Sequence, residues 1–172
     1  MLRQRDIRRL FDLLDEELGR VGSRGEIFVV GGAVMCLAYA ARPSTQDVDA
    51  WFQPTRVMRE AAQRVALRAQ VPPDWLNDAV KGFLSERGEF DLYLEKPHLR
   101  VMVAQPAYLL AMKCLAMRIG REFHDIDDVR FLLRLQDLRT VTSVLEVIGL
   151  YYPPERIPQR TLYALEDLLP KD

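Results

Sequence analysis

VVGGAVMCLAYAARPSTQDVDAWF, residues 29–52, is the stretch that decides the fold class. A β-branched and aromatic run at 27–30 suits a short buried strand. It ends in Gly31-Gly32, and residues 33–41 are rich in Ala, Leu and Met, as a helix would be. Pro43 pushes Arg42 out of helical geometry, so the helix must stop before Ser44 and Thr45. Residues 47–52, DVDAWF, then alternate polar and apolar, the period of a strand. Strand, diglycine, helix and acidic strand together predict a small sheet with a helix packed beside it.

Outward from this core, residues 6–20 carry one broad apolar stripe and predict an amphipathic helix. Residues 55–70 predict an Arg-rich amphipathic helix, with Val57, Met58, Ala61, Val65 and Leu67 available to pack. Pro72-Pro73-Asp74 reads as the start of a short helix over 75–84. Residues 90–94 and 99–103 predict a strand pair. Helices follow at 106–119, 126–135, 141–148 and 160–169, with Pro106 at a first helical position. The expected class is α+β: a small mixed β-sheet covered by helices, then a helical C-terminal part. Three segments are expected: 1–25, 26–104 and 105–172.

The chain has 172 residues, with 49% apolar and 28% charged content, and a formal net charge of −1. That balance excludes wholesale disorder and a broadly basic nucleic-acid coat. The longest apolar runs fall well short of a membrane span, so no membrane partner is expected. The opening MLRQRDIRRL has no apolar core before a cleavage site, so no signal peptide and a cytoplasmic location are expected. Cys36 and Cys114 sit among apolar neighbours and read as small buried hydrophobes. Of the 24 basic residues only Lys81, Lys96, Lys113 and Lys171 are Lys, leaving 20 Arg. A Lys in an unusual setting then stands out as a place where Arg does not serve.

Asp47 and Asp49 are two apart on the predicted strand, so they share a face at roughly 6.5 Å, from a rise of about 3.3 Å per residue. Paired hard oxygens suit Mg²⁺, which also binds substrate phosphates. An acidic outer face of an edge strand would give the same pattern. Gly31 and Gly32 at a strand-to-helix junction would let phosphates approach backbone N–H groups. Ser44 and Thr45 would donate to a phosphate or cap the turn. Lys113, within YLLAMKCLAM, is the only charge inside an apolar helix and needs a carboxylate or phosphate partner, unless it snorkels to water. In REFHDIDD, residues 121–128, Asp125 and Asp128 share a helix face, where acidic residues also complement the helix dipole. His98 and His124 have no partner at zinc-ligand spacing. Arginines at 3–9 and 56–68 would offer RNA a patch, or simply solvated surface.

Taken in order, Gly31-Gly32, Arg42, Thr45, Asp47, Asp49, Lys113 and the Asp125/Asp128 segment resemble the polymerase-beta-type nucleotidyltransferase superfamily. The likeness is to compact bacterial members, the AbiEii-like toxins and related small groups, and spans about residues 26–135. The resemblance implies Mg²⁺ (or Mn²⁺) held by Asp47 and Asp49, and a nucleoside triphosphate gripped by Lys113. It places phosphates at Gly31, Gly32, Arg42, Ser44 and Thr45, with Asp125 and Asp128 completing the pocket. The implied reaction moves a nucleotidyl group from the triphosphate to an acceptor hydroxyl on RNA, including a tRNA 3′ end, as the toxin of a toxin–antitoxin pair. A related antitoxin-type enzyme would instead transfer AMP to a partner protein. The family's third carboxylate, on the later strand, has no counterpart in LRVMV at 99–103. That departure leaves a non-catalytic nucleotide-binding module as a third reading.

Overall fold

The computed structural model describes residues 1–118, 120 and 124–170. The chain forms two compact units. The first comprises residues 1–82 and 90–104; the second comprises 83–89 and 105–172.

The first unit is built on a five-stranded mixed sheet. Its strands are β1 (Gly25–Val29), β2 (Val48–Gln53), β3 (Leu76–Asn77), β4 (Phe90–Glu95) and β5 (Leu99–Ala104), in the order β3-β2-β1-β5-β4. β1 runs parallel to β5 and antiparallel to β2, while β4 and β5 form an antiparallel pair with an irregularity between Leu92 and Leu94. Ile27, Val29, Ala50, Phe52, Leu99 and Val101 are buried on one sheet face. Helix α1 (Gln4–Arg20) buries Ile7, Leu10, Phe11, Leu14 and Leu18, and packs on β5 and on α3 (Thr55–Ala69). Helix α2 (Gly31–Leu37) is short and packs on β2.

Glu17 on α1 is 3% exposed and lies between Arg20, Arg64 and Arg68, at 3.0, 2.9 and 2.8 Å. Burial works against its charge, but the hydrogen bonds from Arg64 and Arg68 hold the carboxyl below its usual range. Arg56 pairs with Glu60, and Arg59 with Asp78. The arginines expected as a basic patch on α3 are therefore matched by carboxylates at 56, 59, 64 and 68. A patch needs uncompensated charge, and this helix does not supply it.

Three local expectations are corrected. The predicted helix at 75–84 is β3 followed by a short 3-10 helix, Ala79–Phe83. Trp75 is buried, and its indole N–H donates to the Ala62 carbonyl at 3.0 Å. That anchor draws the next residues into the sheet beside β2. Leu67, expected to pack, is 83% exposed, because it falls on the outer side of α3. Asp47 lies one residue before β2, and only Asp49 is within the strand.

The second unit is helical: α4 (Pro106–Leu115), α5 (Asp125–Leu135), α6 (Val141–Gly149) and α7 (Gln159–Leu168). Pro106 does open α4, since a first helical residue needs no N–H donor. The predicted end of that helix at Ile119 lies outside the described residues; the helix stops at Leu115. From Tyr108 to Leu115 every residue of α4 is buried. α5 and α6 pack on it. Thr161 of α7 donates its hydroxyl to the Cys114 carbonyl at 2.6 Å, and Arg160 donates to Met117 O at 2.9 Å. These bonds satisfy carbonyls that the helix end would otherwise leave unpaired. Cys36 and Cys114 are both buried and not disulfide-bonded, and burial pushes the Cys114 thiol up to about 12. Among the described residues no helix is long and apolar enough to cross a membrane.

Candidate functional site

In the first unit the diglycine, the loop after α2 and the start of β2 come together. Gly31 has φ +67, the left-handed region that glycine adopts without cost. A Cβ on Gly31 would stand 3.3 Å from Asp49 Oδ2, so this backbone lies directly against the carboxylate. Val30 N–H donates to the Asp49 carbonyl at 2.9 Å, which locks the glycine turn to the strand. At Gly32 the missing Cβ has a different use. Its place is taken by Arg42 Nη1 at 2.5 Å and Thr45 Oγ1 at 3.0 Å. Gly32 thus lets a guanidinium and a hydroxyl close on the main chain.

Thr45 is buried. Its N–H and C=O pair with Leu2, and its hydroxyl donates to the Asp47 carbonyl at 3.2 Å. The segment entering β2 is therefore fixed on both sides. Asn77 Nδ2 donates to Asp47 Oδ2 at 3.0 Å. Asp47 and Asp49 are half-buried, while Val48 and Ala50 point into the core. This alternation puts Asp49 on the sheet face away from the core, and Asn77, which pairs with Asp49 across the strands, ties the Asp47 carboxylate to it. Ser44 sits half-exposed in the loop before Thr45.

The donor set suits a hard divalent cation. It offers two carboxylates two residues apart, one of them against a glycine backbone, and such hard oxygens are what a small divalent cation takes. Among the described residues no group of three or more His, Cys, Asp or Glu forms an all-protein cage. Cations of this type commonly keep water and substrate oxygens as ligands.

The later strand, β5, carries no carboxylate. The β5 residues whose parity matches Asp49 are Arg100, Met102 and Ala104. Asp91 pairs with Val103, on the opposite side of the sheet.

The second unit brings Lys113, Asp125 and Asp128 together. Lys113 is 8% exposed, and its Nζ lies 2.6 Å from Asp128 Oδ2 and 3.3 Å from Asp125 Oδ1. Asp125 also accepts from the Arg118 backbone N–H at 3.0 Å and from Arg118 Nε at 2.9 Å. The lysine does have the partner its apolar surroundings demand, and the partner is a pair of carboxylates. Burial pushes the Asp125 carboxyl up, but the Arg118 hydrogen bonds and the Lys113 charge prevail and hold it below its usual range. Of the 121–128 segment, residues 121–123 lie outside the described residues.

Two expected results follow from this geometry. Gly31→Ala must place a Cβ at positive φ and against Asp49, at a cost of about 1–2 kcal/mol. For a chain of this size that lowers the melting temperature by a few degrees, roughly 2–4 °C per kcal/mol. Gly31→Asn should lose less, since Asn tolerates the left-handed region. Equal melting of wild type and Gly31→Ala would contradict the turn geometry.

The second concerns pH. A carboxyl whose folded pKa is depressed stabilises the fold above its unfolded value, about 3.9 for Asp. That stability fades as pH falls through the folded value. The melting difference between wild type and Asp125→Asn should be largest near neutrality and shrink as the buffer is taken below about pH 4. A difference that stays constant into acid would contradict the Arg118–Asp125–Lys113 pairing.

The sequence names every side chain of both groups except Arg118 and Asn77. Arg118 lies five residues after Lys113, a spacing that carries no motif by itself. No family profile, curated protein or solved structure matches the chain.

Proposed function

We propose that the protein is a Mg²⁺-dependent nucleotidyltransferase that moves a nucleotidyl group from a nucleoside triphosphate to an acceptor hydroxyl. One observation carries the reading: Asp49, on the outward sheet face, lies against a glycine turn at positive φ, and Asn77 beside it holds the Asp47 carboxylate.

Asp47 and Asp49 would hold the cation. When bound, Mg²⁺ would neutralise phosphate charge and polarise the phosphorus centre. Gly31 leaves the space in which a phosphate chain reaches the main chain. Arg42, seated on Gly32, brings a guanidinium to the same end of the sheet, and a guanidinium matches phosphate oxygens well. Thr45 fixes the strand entry that sets Asp47. Asn77 orients the Asp47 carboxylate. These residues act by positioning and charge, which is most of what phosphoryl chemistry requires.

Lys113, Asp125 and Asp128 take a different role in this proposal. Two carboxylates already meet the ammonium charge, so the cluster orients the helices of the second unit. An ion-paired carboxylate held below its usual range is also a weak base, so Asp125 is not assigned proton abstraction. The paired arginines of α3 favour an acceptor engaged over a few groups at its end, since a long phosphate track needs free basic charge.

The test uses the full chain with Mg²⁺, labelled nucleoside triphosphates, total RNA and total protein. Label is expected in RNA with wild type and absent with Asp49→Ala. Label in protein alone would select transfer of AMP to a partner protein. No label, together with no Mg²⁺-dependent melting shift with any triphosphate, would leave only a non-catalytic module.

A further inference from the structure

The face that carries Asp49 continues along β2 to Trp51. The register sets Phe28 opposite Trp51, and Met102 beside Phe28. The Phe28 and Trp51 ring centroids are 4.9 Å apart at 39°, and Phe28 meets Phe90 edge-on at 5.2 Å. Phe28, Trp51, Phe90 and Met102 are only half-buried, while Ile27, Val29, Phe52 and Val101 on the other face are fully buried. An outward sheet face normally carries polar side chains. Here its centre is three aromatic rings, directly beyond Asp49.

Chain direction gives this surface its place in the reaction. Arg42, Thr45 and the diglycine lie where β1 ends and β2 begins. Trp51 and Phe28 lie inward from that end. In phosphoryl displacement the attacking and leaving oxygens stand roughly in line on opposite sides of phosphorus. With the leaving pyrophosphate at the diglycine end, the acceptor hydroxyl arrives over Trp51. The acceptor oxygen bonds to the α-phosphorus, and the bond from that phosphorus to the bridging oxygen breaks. Pyrophosphate leaves with that electron pair, and the hydroxyl proton passes to water.

We infer that Trp51, Phe28 and Phe90 form a stacking platform for the unpaired terminal base of the acceptor, a single-stranded nucleic acid. This rests on the nucleotidyl-transfer reading above. Aromatic side chains stack on every base, so such a platform holds an end without reading its sequence. The polar groups around it are Glu26, Gln53 and Arg100, with Gln53 donating to Glu26 at 3.0 Å. That rim suits a neutral base ring better than a phosphate backbone.

Trp51 is also the reporter. The second tryptophan, Trp75, is 1% exposed and out of reach of a quencher. A single-stranded RNA of about ten nucleotides, added without triphosphate, should quench the wild-type fluorescence saturably. Trp51→Leu and Phe28→Leu keep apolar volume. Each should raise KM for the RNA acceptor about tenfold or more, with KM for the triphosphate unchanged. Transfer to RNA with unaltered acceptor KM in both variants overturns the platform and leaves the transferase reading standing. Saturable quenching without any transfer keeps the platform and overturns the transferase reading. Absence of quenching by RNA, or label entering protein alone, overturns the platform.

Discussion

Asp49→Asn is expected to reduce nucleotidyl transfer by three or more decades while leaving the protein folded. Asn keeps the shape of the side chain and its place beside Gly31, where the Asp49 carboxylate now stands. What it loses is the negative charge that, in the proposed reaction, would hold a divalent cation on phosphates. Metal neutralisation of a phosphoryl centre supplies several kcal/mol, and each 1.36 kcal/mol is a factor of ten in rate. The loss is therefore about 10³-fold or more in kcat/KM. The backbone bond from Val30 to the Asp49 carbonyl is indifferent to the side chain, so melting should change by no more than a few degrees. Single-turnover rates at saturating Mg²⁺, set beside thermal melts, give both quantities. A variant that folds and transfers at more than a tenth of the wild-type rate would remove Asp49 from the metal site.

Lys113→Met carries the largest expected cost in stability. The side chain is 8% exposed, and Asp125 and Asp128 are 4% and 3% exposed. Removing the ammonium leaves Asp128 buried without the partner at 2.6 Å, while Asp125 keeps Arg118. Breaking a buried ion pair from one side costs about 3–5 kcal/mol. That corresponds to a fall of about 10 °C or more in melting temperature. Adding Asp128→Leu to the same chain removes the carboxylate that faced the ammonium and should recover part of the loss, the signature of direct coupling. Additive losses in the double variant would show that the two groups do not act as a pair.

The part of the site legible in the sequence was the part encoded by short spacing. A diglycine after a β-branched run and two acids at a period of two identify themselves, because strand geometry fixes their relation. Lys113 was legible as an anomaly, a charge in an apolar helix. Asp125 and Asp128 are legible as candidates too, but their pairing with Lys113 is not, since they lie 12 and 15 residues on and reach it through tertiary packing. Glu17 shows the same limit. It occupies an ordinary polar position on α1, and only packing against α3 makes it a buried anion.

The false helix at 75–84 came from Pro72-Pro73-Asp74, a sound helix start that the burial of Trp75 overrides. A strand of two residues, Leu76–Asn77, is too short to display a period. The diglycine was expected to precede a helix of nine residues. Instead α2 starts at Gly31 and ends at Leu37, so the glycines serve close approach more than a long dipole.

In the proposed reaction Asp47 and Asp49 would hold a metal-bound triphosphate against the glycine turn. A crystal structure with Mg²⁺ and a non-hydrolysable triphosphate tests it most directly. The predicted result is a cation on both carboxylates at about 2.1 Å, with phosphate oxygens beside Gly31. A triphosphate bound elsewhere, with no cation on Asp47 and Asp49, would contradict it.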